Sequence, residues 1–439
     1  MIRYMKNKYL YIETYGCQMN EYDSDRIRNA IGAEATDKPD KADIIIINTC
    51  AIREKADQKA FSSLGKYKHL KSKKPDLILG ISGCVAQLYG DKLLNRIPHL
   101  DFVLGPRAIP RLPELISRIE NEKQRPVETS YDIEELFDIE PHHNEGKITA
   151  FVSVQQGCNK RCSYCIVPYV RGNEVNRPLS EILKETWGLV NKGVREVTFI
   201  GQTVNSWKVN GYKFGDLLRA AAEVENLERI RFTTSYPRDI TGKMIEALRD
   251  VPKICRHIHL PVQSGSNRIL GKMKRTYTRE WYSDTVARLR DAVPDMAITT
   301  DIIVGYPGES ESDFMDTMSL LKEIEFDSAF SFKFSPRPGT PAAGSSGDEV
   351  VDGDTAGRRL SELQSFQRDL TMRKNLDRVG KLEEVLVEGT SKNDPDTLTG
   401  RTTHNRIAHF RGTGQLLGKI VKIRITEGLF NSIRGEVSV

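Results

Sequence analysis

Three short β-forming runs near the start of the chain, Tyr9 to Thr14, Asp43 to Asn48 and Leu77 to Ser82, are each followed at once by a cysteine, in Gly16-Cys17, Thr49-Cys50 and Gly83-Cys84. Amphipathic stretches separate the runs, which is the pattern of parallel strands joined by helices. Consecutive strands of such a sheet point the same way. Residues just past their ends therefore gather on one edge, where open α/β sheets bind ligands. Cys17, Cys50 and Cys84 lie 33 and 34 residues apart, one βα unit each, so the three thiols are expected to converge. Singly, a cysteine after a buried strand is more often a small core residue than a ligand. The shared position is what gives them meaning.

The alternation resumes beyond a polar connector at 121–147, which includes Glu122, Glu134, Glu135, Glu140 and the pair His142-His143. Adjacent histidines in a charged linker read as solvated surface. Strands are expected at Ala150 to Val154, Glu196 to Ile200, Ile230 to Thr234, His257 to Pro261, Thr300 to Val304 and Ala329 to Phe334. Six parallel strands with intervening helices suggest an incomplete (β/α)6 barrel, whose chemistry sits at the strand exits. Ser180 ahead of Ile182, Leu183, Trp187 and Val190, and Thr278 ahead of Trp281, Val286 and Leu289, read as helix starts. A helix around Arg358 to Arg378 leads to Gly380. From there Glu384 to Val387, Ile407 to Phe410 and Lys419 to Ile425 suggest a small antiparallel β-barrel. The expected domains are thus 7–122, a doubly wound parallel α/β domain, 144–375, the partial barrel, and 378–439, the small barrel.

The chain has 439 residues, 38% hydrophobic and 28% charged, enough for two or three domains. Its longest aliphatic run, Ile44 to Ile47, falls far short of the roughly 20 apolar residues of a membrane helix. The basic start, Met1 to Lys8, meets Glu13 after only a brief apolar stretch, so no secretory signal is expected and the chain reads as cytoplasmic. In that compartment seven cysteines, an odd number, point to metal or catalysis rather than disulfides. A net charge of +5 suits RNA only weakly. The last 59 residues carry nine Lys and Arg against seven Asp and Glu, with His404, Arg406, His409, Phe410, Arg411, Lys422 and Arg424 as candidates for backbone contact and base stacking.

Cys158, Cys162 and Cys165 form C-x-x-x-C-x-x-C directly after the first barrel strand. A structural zinc site takes four protein ligands, and no fourth cysteine or histidine lies close in sequence. A cubic 4Fe-4S cluster on three thiolates leaves one iron open to a small chelating molecule, such as the amino and carboxylate groups of a methionine moiety. The N-terminal triad also stops at three. Cys255 has no partners in sequence and is assigned to packing.

At these residues the sequence resembles the radical S-adenosylmethionine superfamily, with Tyr164 matching the aromatic residue that stands near the adenine. The resemblance extends along nearly the whole chain. Thr14-Tyr-Gly-Cys-Gln-Met-Asn20 with Asp23-Ser24, Asn48-Thr-Cys50-Ala-Ile-Arg53-Glu54, Gly83-Cys84, Gly157-Cys-Asn-Lys-Arg-Cys-Ser-Tyr-Cys-Ile-Val-Pro-Tyr-Val-Arg-Gly172, His259-Leu-Pro-Val-Gln-Ser-Gly-Ser266, Met273-Lys-Arg275 and Thr300-Asp-Ile-Ile-Val-Gly-Tyr-Pro-Gly-Glu309 are similar to the methylthiotransferases, and the terminal barrel resembles their TRAM domain. Tyr-Gly-Cys-Gln-Met-Asn resembles the branch acting on an isopentenylated tRNA adenosine. Departures are Thr203 in place of asparagine, Trp207 in place of tyrosine, Tyr236 in place of histidine and Asn176 in place of serine.

The resemblance implies two 4Fe-4S clusters, one on Cys17, Cys50 and Cys84 and one on Cys158, Cys162 and Cys165, with S-adenosyl-L-methionine as cofactor. It implies two molecules of S-adenosylmethionine per turnover, one giving a methyl group to sulfur and one a 5′-deoxyadenosyl radical. Expected cofactor contacts are Tyr164, Gln202, Ser235, Gln263 and Arg275; expected RNA contacts are Arg53, Arg406, Phe410 and Arg411. The partners implied are a tRNA anticodon stem-loop and an electron donor such as flavodoxin or ferredoxin, for a monomer without membrane attachment. Methylthiolation of a ribosomal-protein aspartate and a non-catalytic iron-sulfur RNA-binding role are the rival readings.

Overall fold

The computed structural model describes residues 7–51, 54–131, 136–141, 146–391 and 394–438. Among them no helix is long and apolar enough to cross a membrane. By internal contacts the chain divides into two compact units, one of residues 1–144 with 155–160 and 165–177, the other of 145–154, 161–164 and 178–439.

The first unit is built on six parallel strands in the spatial order Glu34–Ala35, Tyr9–Tyr15, Ile44–Thr49, Ile78–Gly83, Phe102–Leu104, Val127–Glu128. Side chains alternate between faces with period two. Ile45, Ile47, Leu79, Ile81 and Val103 therefore bury on one face with Ala60, Leu64 and Val85. Ile44, Ile46, Ile78, Phe102 and Leu104 bury on the other with Ile27, Ile31, Leu112 and Ile116. Helices cover both faces, as the doubly wound expectation requires. The strand order reverses between Tyr9–Tyr15 and Ile44–Thr49, the topological switch point where such sheets bind ligands. The three expected strands are present within a residue or so, while three short edge and flanking strands escaped notice. One of them, Val127–Glu128, corrects the reading of 121–147 as a plain connector, because it pairs with Phe102–Leu104. In the same stretch Leu136 is buried, and Arg26 donates to the carbonyls of Leu136 and Ile139. His142 and His143 lie outside the described residues.

The second unit carries the six barrel strands, Thr149–Ser153, Glu196–Ile200, Arg229–Phe232, His257–His259, Ala297–Val304 and Ser328–Lys333. All their pairings are parallel. They form two three-stranded sheets, and the third strand reaches toward the fourth through an Ile230 to Ile254 bridge. Thr278 caps the helix Arg279–Ala292 by accepting from Trp281 N, as expected. Ser180 does not start its helix: Leu179–Asn191 begins after Pro178, whose ring fixes φ near the −56° seen there. Trp187 is 60% exposed, since the helical period puts it about 200° from Leu189, which faces the core.

The helix Gly353–Leu376, capped by Asp352, leads to a closed five-stranded barrel of Leu382–Thr390, Thr397–Thr402, Ile407–Arg411, Ile433–Val437 and Ile420–Gly428. Four of its five pairings are antiparallel, and Ile407–Arg411 runs parallel to Ile433–Val437. Buried arginines join it to the central strands. Arg229 donates to the carbonyls of Arg401 and Glu384, and Arg231 to that of Thr402 and to Glu196.

Candidate functional site

Two glycines let the N-terminal cysteines approach one another. Gly16 has φ +146°, and a Cβ there would stand 2.6 Å from the Cys50 Cβ; Gly83 has φ +91°, and a Cβ would stand 2.5 Å from the Thr49 carbonyl. Cys17 caps the helix Gln18–Ile31, with Asn20 at its third position closing a reciprocal cap. Beneath lies a buried polar net. Asn48 donates to the Asn20 carbonyl at 2.8 Å and to Ser24 Oγ at 2.9 Å, and Asn20 Nδ2 donates to Asn48 Oδ1 at 3.2 Å. The segment after the first of these strands is thereby tied to the end of the second.

The three thiols hydrogen-bond one another with Cys50 in the middle. Donation from Cys50, aided by the positive charge of Arg171, outweighs burial and brings Cys17 down to about 6 and Cys84 to about 7. Cys50 is pushed the other way by its two hydrogen-bonded neighbours and by burial. Arg171 is the unexpected member of the site. Its side chain is 2% exposed; Nε donates to Cys84 Sγ at 3.3 Å, and Nη2 meets Asp23 Oδ2 at 2.7 Å. Asp23, 1% exposed, also faces Arg26 at 3.9 Å. Metal ligands must be deprotonated sulfur, so two thiols held toward thiolate beside a buried cation, with a third within hydrogen-bond reach of both, form a donor set that fits an iron-sulfur cluster. Among the described residues, no three or more His, Cys, Asp or Glu side chains stand as a preassembled ion site.

Cys158, Cys162 and Cys165 lie on the loop between the short strand Gln155–Gln156 and the helix Val167–Arg171. Gly157, φ +80°, leaves no space for a side chain against the Asn173 carbonyl, and Cys158 N donates to Gly172 O. Within the second unit the loop is pinned at Ser163, which bonds the Lys272 and Met273 carbonyls and Tyr306 Oη. Arg275 is aimed at the same place. Its guanidinium donates to Cys162 Sγ at 3.3 Å, Tyr164 Oη at 3.4 Å and the Pro261 carbonyl at 3.0 Å, and lies 4.5 Å from the Tyr236 ring centroid. Three thiolates on one loop with a cationic donor beside them fit a cluster with an open iron.

The expected cofactor residues ring the strand exits. Ser235 Oγ is buried without a hydrogen-bond partner, an orphaned hydroxyl of the kind a ligand satisfies. Gln263 and Thr234 both carry positive φ, +76° and +69°. Strain in non-glycine residues at two successive strand exits is what binding sites tend to store. Gln202 is half-buried after Ile200.

The RNA candidates divide. Phe410 is 3% exposed in the core of the terminal barrel, packed with Leu398, Ile423 and Ile433, so it has no free face for a base. Arg406 is held by Asp327 at 2.7 Å and Asn375 at 3.0 Å, joining the small barrel to its neighbour. Alternation gives the reason for Phe410: along Ile407–Arg411 the even positions point inward. Arg411, Lys419 and Lys422 face solvent. Arg53 lies outside the described residues. Cys255 is buried, and burial pushes its thiol up to about 11, in keeping with a packing role.

Three family patterns match the chain: Uncharacterized protein family UPF0004 at residues 9–105, the Radical SAM superfamily at 152–321 and the TRAM domain at 377–438. A tRNA-2-methylthio-N(6)-dimethylallyladenosine synthase of Aromatoleum aromaticum is 45% identical over 98% of this chain and 99% of its own length. One from Nitrosospira multiformis is 46% identical, over 98% and 93%. Among solved structures, the radical S-adenosylmethionine methyltransferase TsrM of Kitasatospora setae covers 77% of this chain and 75% of its own with a TM-score of 0.58 at 14% identity. The cobalamin-dependent radical enzyme OxsB covers 81% of this chain and 56% of its own, with a TM-score of 0.52 at 12% identity. At those identities the likeness is one of fold.

Proposed function

Because the chain belongs to the tRNA-2-methylthio-N(6)-dimethylallyladenosine synthase family within the radical SAM superfamily, we propose that it places a methylthio group on C2 of an N6-isopentenylated adenosine next to the tRNA anticodon. One observation carries this reading. Identity of 45% runs from the N-terminal cysteine domain through the terminal barrel, over 98% of this chain and 99% of a relative so named. The enzyme uses S-adenosyl-L-methionine and 4Fe-4S clusters.

Cys158, Cys162 and Cys165 hold one cluster, and Cys17, Cys50 and Cys84 the other. When bound, these groups and S-adenosylmethionine supply what side chains lack, a carbon radical able to take an aromatic hydrogen and a sulfur carrying a methyl group. The protein's own part is placement and charge. Arg275 donates to Cys162 Sγ and steadies Tyr164. Gln202, Ser235 and Gln263 offer polar groups at the strand exits to the cofactor. Hydrogen bonds from Cys50, with the charge of Arg171 beside them, lower Cys17 and Cys84 toward thiolate, and Asp23 keeps Arg171 in place. The terminal barrel offers Arg411, Lys419 and Lys422 to the RNA backbone. An unpaired loop base is turned out of its stack at low cost, which brings C2 within reach. The enzyme works in the cytoplasm as a monomer and draws electrons from a donor such as flavodoxin or ferredoxin.

Mass spectrometry of tRNA nucleosides and ribosomal proteins from a deletion strain tests the reading. Loss of the methylthio group with accumulation of the isopentenylated nucleoside is expected. Unchanged tRNA together with an unmodified ribosomal aspartate would overturn it. Incubation of the reduced enzyme with S-adenosylmethionine should also release 5′-deoxyadenosine, which a non-catalytic binding protein would not do.

A further inference from the structure

The sheet formed by His257–His259, Ala297–Val304 and Ser328–Lys333 has two unlike faces. Partnered residues of parallel strands point to the same side, so Ile258, Ile298, Ile302 and Val304 form one face, and they are wholly buried against the helices. The other face carries His259, Thr299, Asp301, Ile303, Phe330 and Phe332, and it is open. Register pairs Asp301 with Phe330 and Ile303 with Phe332. Phe330 is 53% exposed and Phe332 39%, so two large apolar side chains at alternate positions of an edge strand keep a large share of their surface accessible. Contiguous exposed apolar surface of this kind marks a binding site more often than an accident of folding.

Polar groups stand beside the rings. His259 Nε2 is 3.4 Å from Asp301 Oδ2, His259 Nδ1 is 3.0 Å from Thr299 Oγ1, and the His259 ring meets Phe330 edge to face at 6.0 Å. At the strand-exit end of this face, Ile303 and Phe334 pack in one cluster with Tyr164 of the cysteine loop. The open face therefore begins where the radical chemistry is proposed and runs down the strands from there.

Resting on the function proposed above, we infer that this face is the substrate pocket: Phe332 and Phe330 take the five-carbon isopentenyl group and one face of the adenine, while His259 and Asp301 meet a polar edge of the base. The chemistry of the surface selects this occupant. A plain adenine has aromatic and polar surface but no aliphatic branch, whereas a prenylated one needs apolar surface next to hydrogen-bonding groups, which is the pairing found here. An aspartate side chain, the rival substrate, would find two exposed phenyl rings and a carboxylate opposing it.

The test is equilibrium binding of the full-length enzyme to two fluorescent anticodon stem-loops that differ only in the N6-isopentenyl group. Wild type should favour the prenylated RNA. Phe330→Ser with Phe332→Ser should weaken that RNA by about 10- to 100-fold, the range of one lost stacking and apolar contact, and should weaken the plain stem-loop, which loses only the stacking, by less, so that the preference shrinks. Phe330→Leu with Phe332→Leu keeps apolar volume and should retain most of the preference. Because both rings are partly exposed, neither pair of changes should disturb folding, which circular dichroism would verify. If wild type prefers the prenylated RNA and the serine variant prefers it equally, the pocket is misassigned though the proposed function stands. If wild type shows no preference between the stem-loops, the inference falls whatever the variants do. Nucleoside analysis of the deletion strain then shows separately whether the function falls with it.

Discussion

Replacing Arg171 by methionine should loosen the N-terminal unit, and replacing its partner should loosen it more. Arg171 and Asp23 are 2% and 1% exposed and meet at 2.7 Å. Removing one member of a buried ion pair leaves the other charge uncompensated, a loss of about 3–5 kcal/mol. The surroundings decide where in that range each variant falls. Arg171→Met leaves Asp23 with Arg26 at 3.9 Å, a poor but real partner, so the loss should be about 3 kcal/mol. Asp23→Asn strips the shared carboxylate from two buried arginines at once and should cost about 5 kcal/mol. The double variant should lose no more than Asp23→Asn alone, a coupling of at least ~3 kcal/mol. All three tryptophans lie beyond residue 180, so their fluorescence does not report this unit. Hydrogen exchange at Tyr9–Tyr15, Ile44–Thr49 and Ile78–Gly83 does, because these core strands open only when the unit unfolds. Losses below about 1 kcal/mol, the scale of an exposed pair, would refute the reasoning, as would simple additivity.

Other outcomes follow from the same geometry. Changing Cys17, Cys50 and Cys84 together to alanine should reduce iron in the reconstituted protein from roughly eight to four atoms per chain, read by iron assay and Mössbauer spectroscopy; an unchanged content would remove the N-terminal cluster. Gly83→Ala should depress the same iron content, since its Cβ would press on Asn48 Oδ1 and the Thr49 carbonyl, each at 2.5 Å, in a backbone with φ +91°. Burial, reinforced by the charge of Arg231 and by neighbouring His259, Arg401 and His404, holds His257 well below its usual value. The unfolded chain then takes up a proton below about pH 6.5 that the folded chain refuses, so stability should fall as pH drops through that value, by at most about 1.4 kcal/mol per pH unit. His257→Gln should flatten the slope between pH 7.5 and 5.5 in urea titrations, and an unaltered slope would assign the acid sensitivity elsewhere.

What was legible in the sequence was whatever repeats with a short period or a fixed spacing. Ile44 to Ile47 reads as a buried strand because four β-branched residues leave few other options, and Glu196 to Ile200 matched residue for residue. The failures came where a contact is made across the fold. Val127–Glu128 is too short to show a period and becomes a strand only because Phe102–Leu104 offers it an edge. Phe410 looked like a stacking aromatic in a basic stretch, yet its strand parity, invisible until the barrel closes, points it inward. Arg406 looked like a phosphate ligand, and its guanidinium is spent on Asp327, 79 residues away in sequence.

Arg171 is the instructive case, because the sequence displayed it and gave no reason to choose it. It stands six residues after Cys165, inside the motif that carries the second triad, and its side chain meets a thiol of the first. The stretch around it explains how. Ile166 and Val170 bury in the same cluster as Ile47, Ile81 and Cys84, so the segment after the radical loop folds as part of the N-terminal unit. Two apolar anchors four residues apart put one side of the Val167–Arg171 helix into that core, and Arg171, next to Val170, is carried in with them. A buried cation here is tolerable only because Asp23 and the thiols supply the opposing charge. The same arginine is therefore a stability element when Asp23 is considered and an electrostatic element when Cys84 is. Both roles require the Val167–Arg171 helix to fold against the segments that carry Asp23 and Cys84.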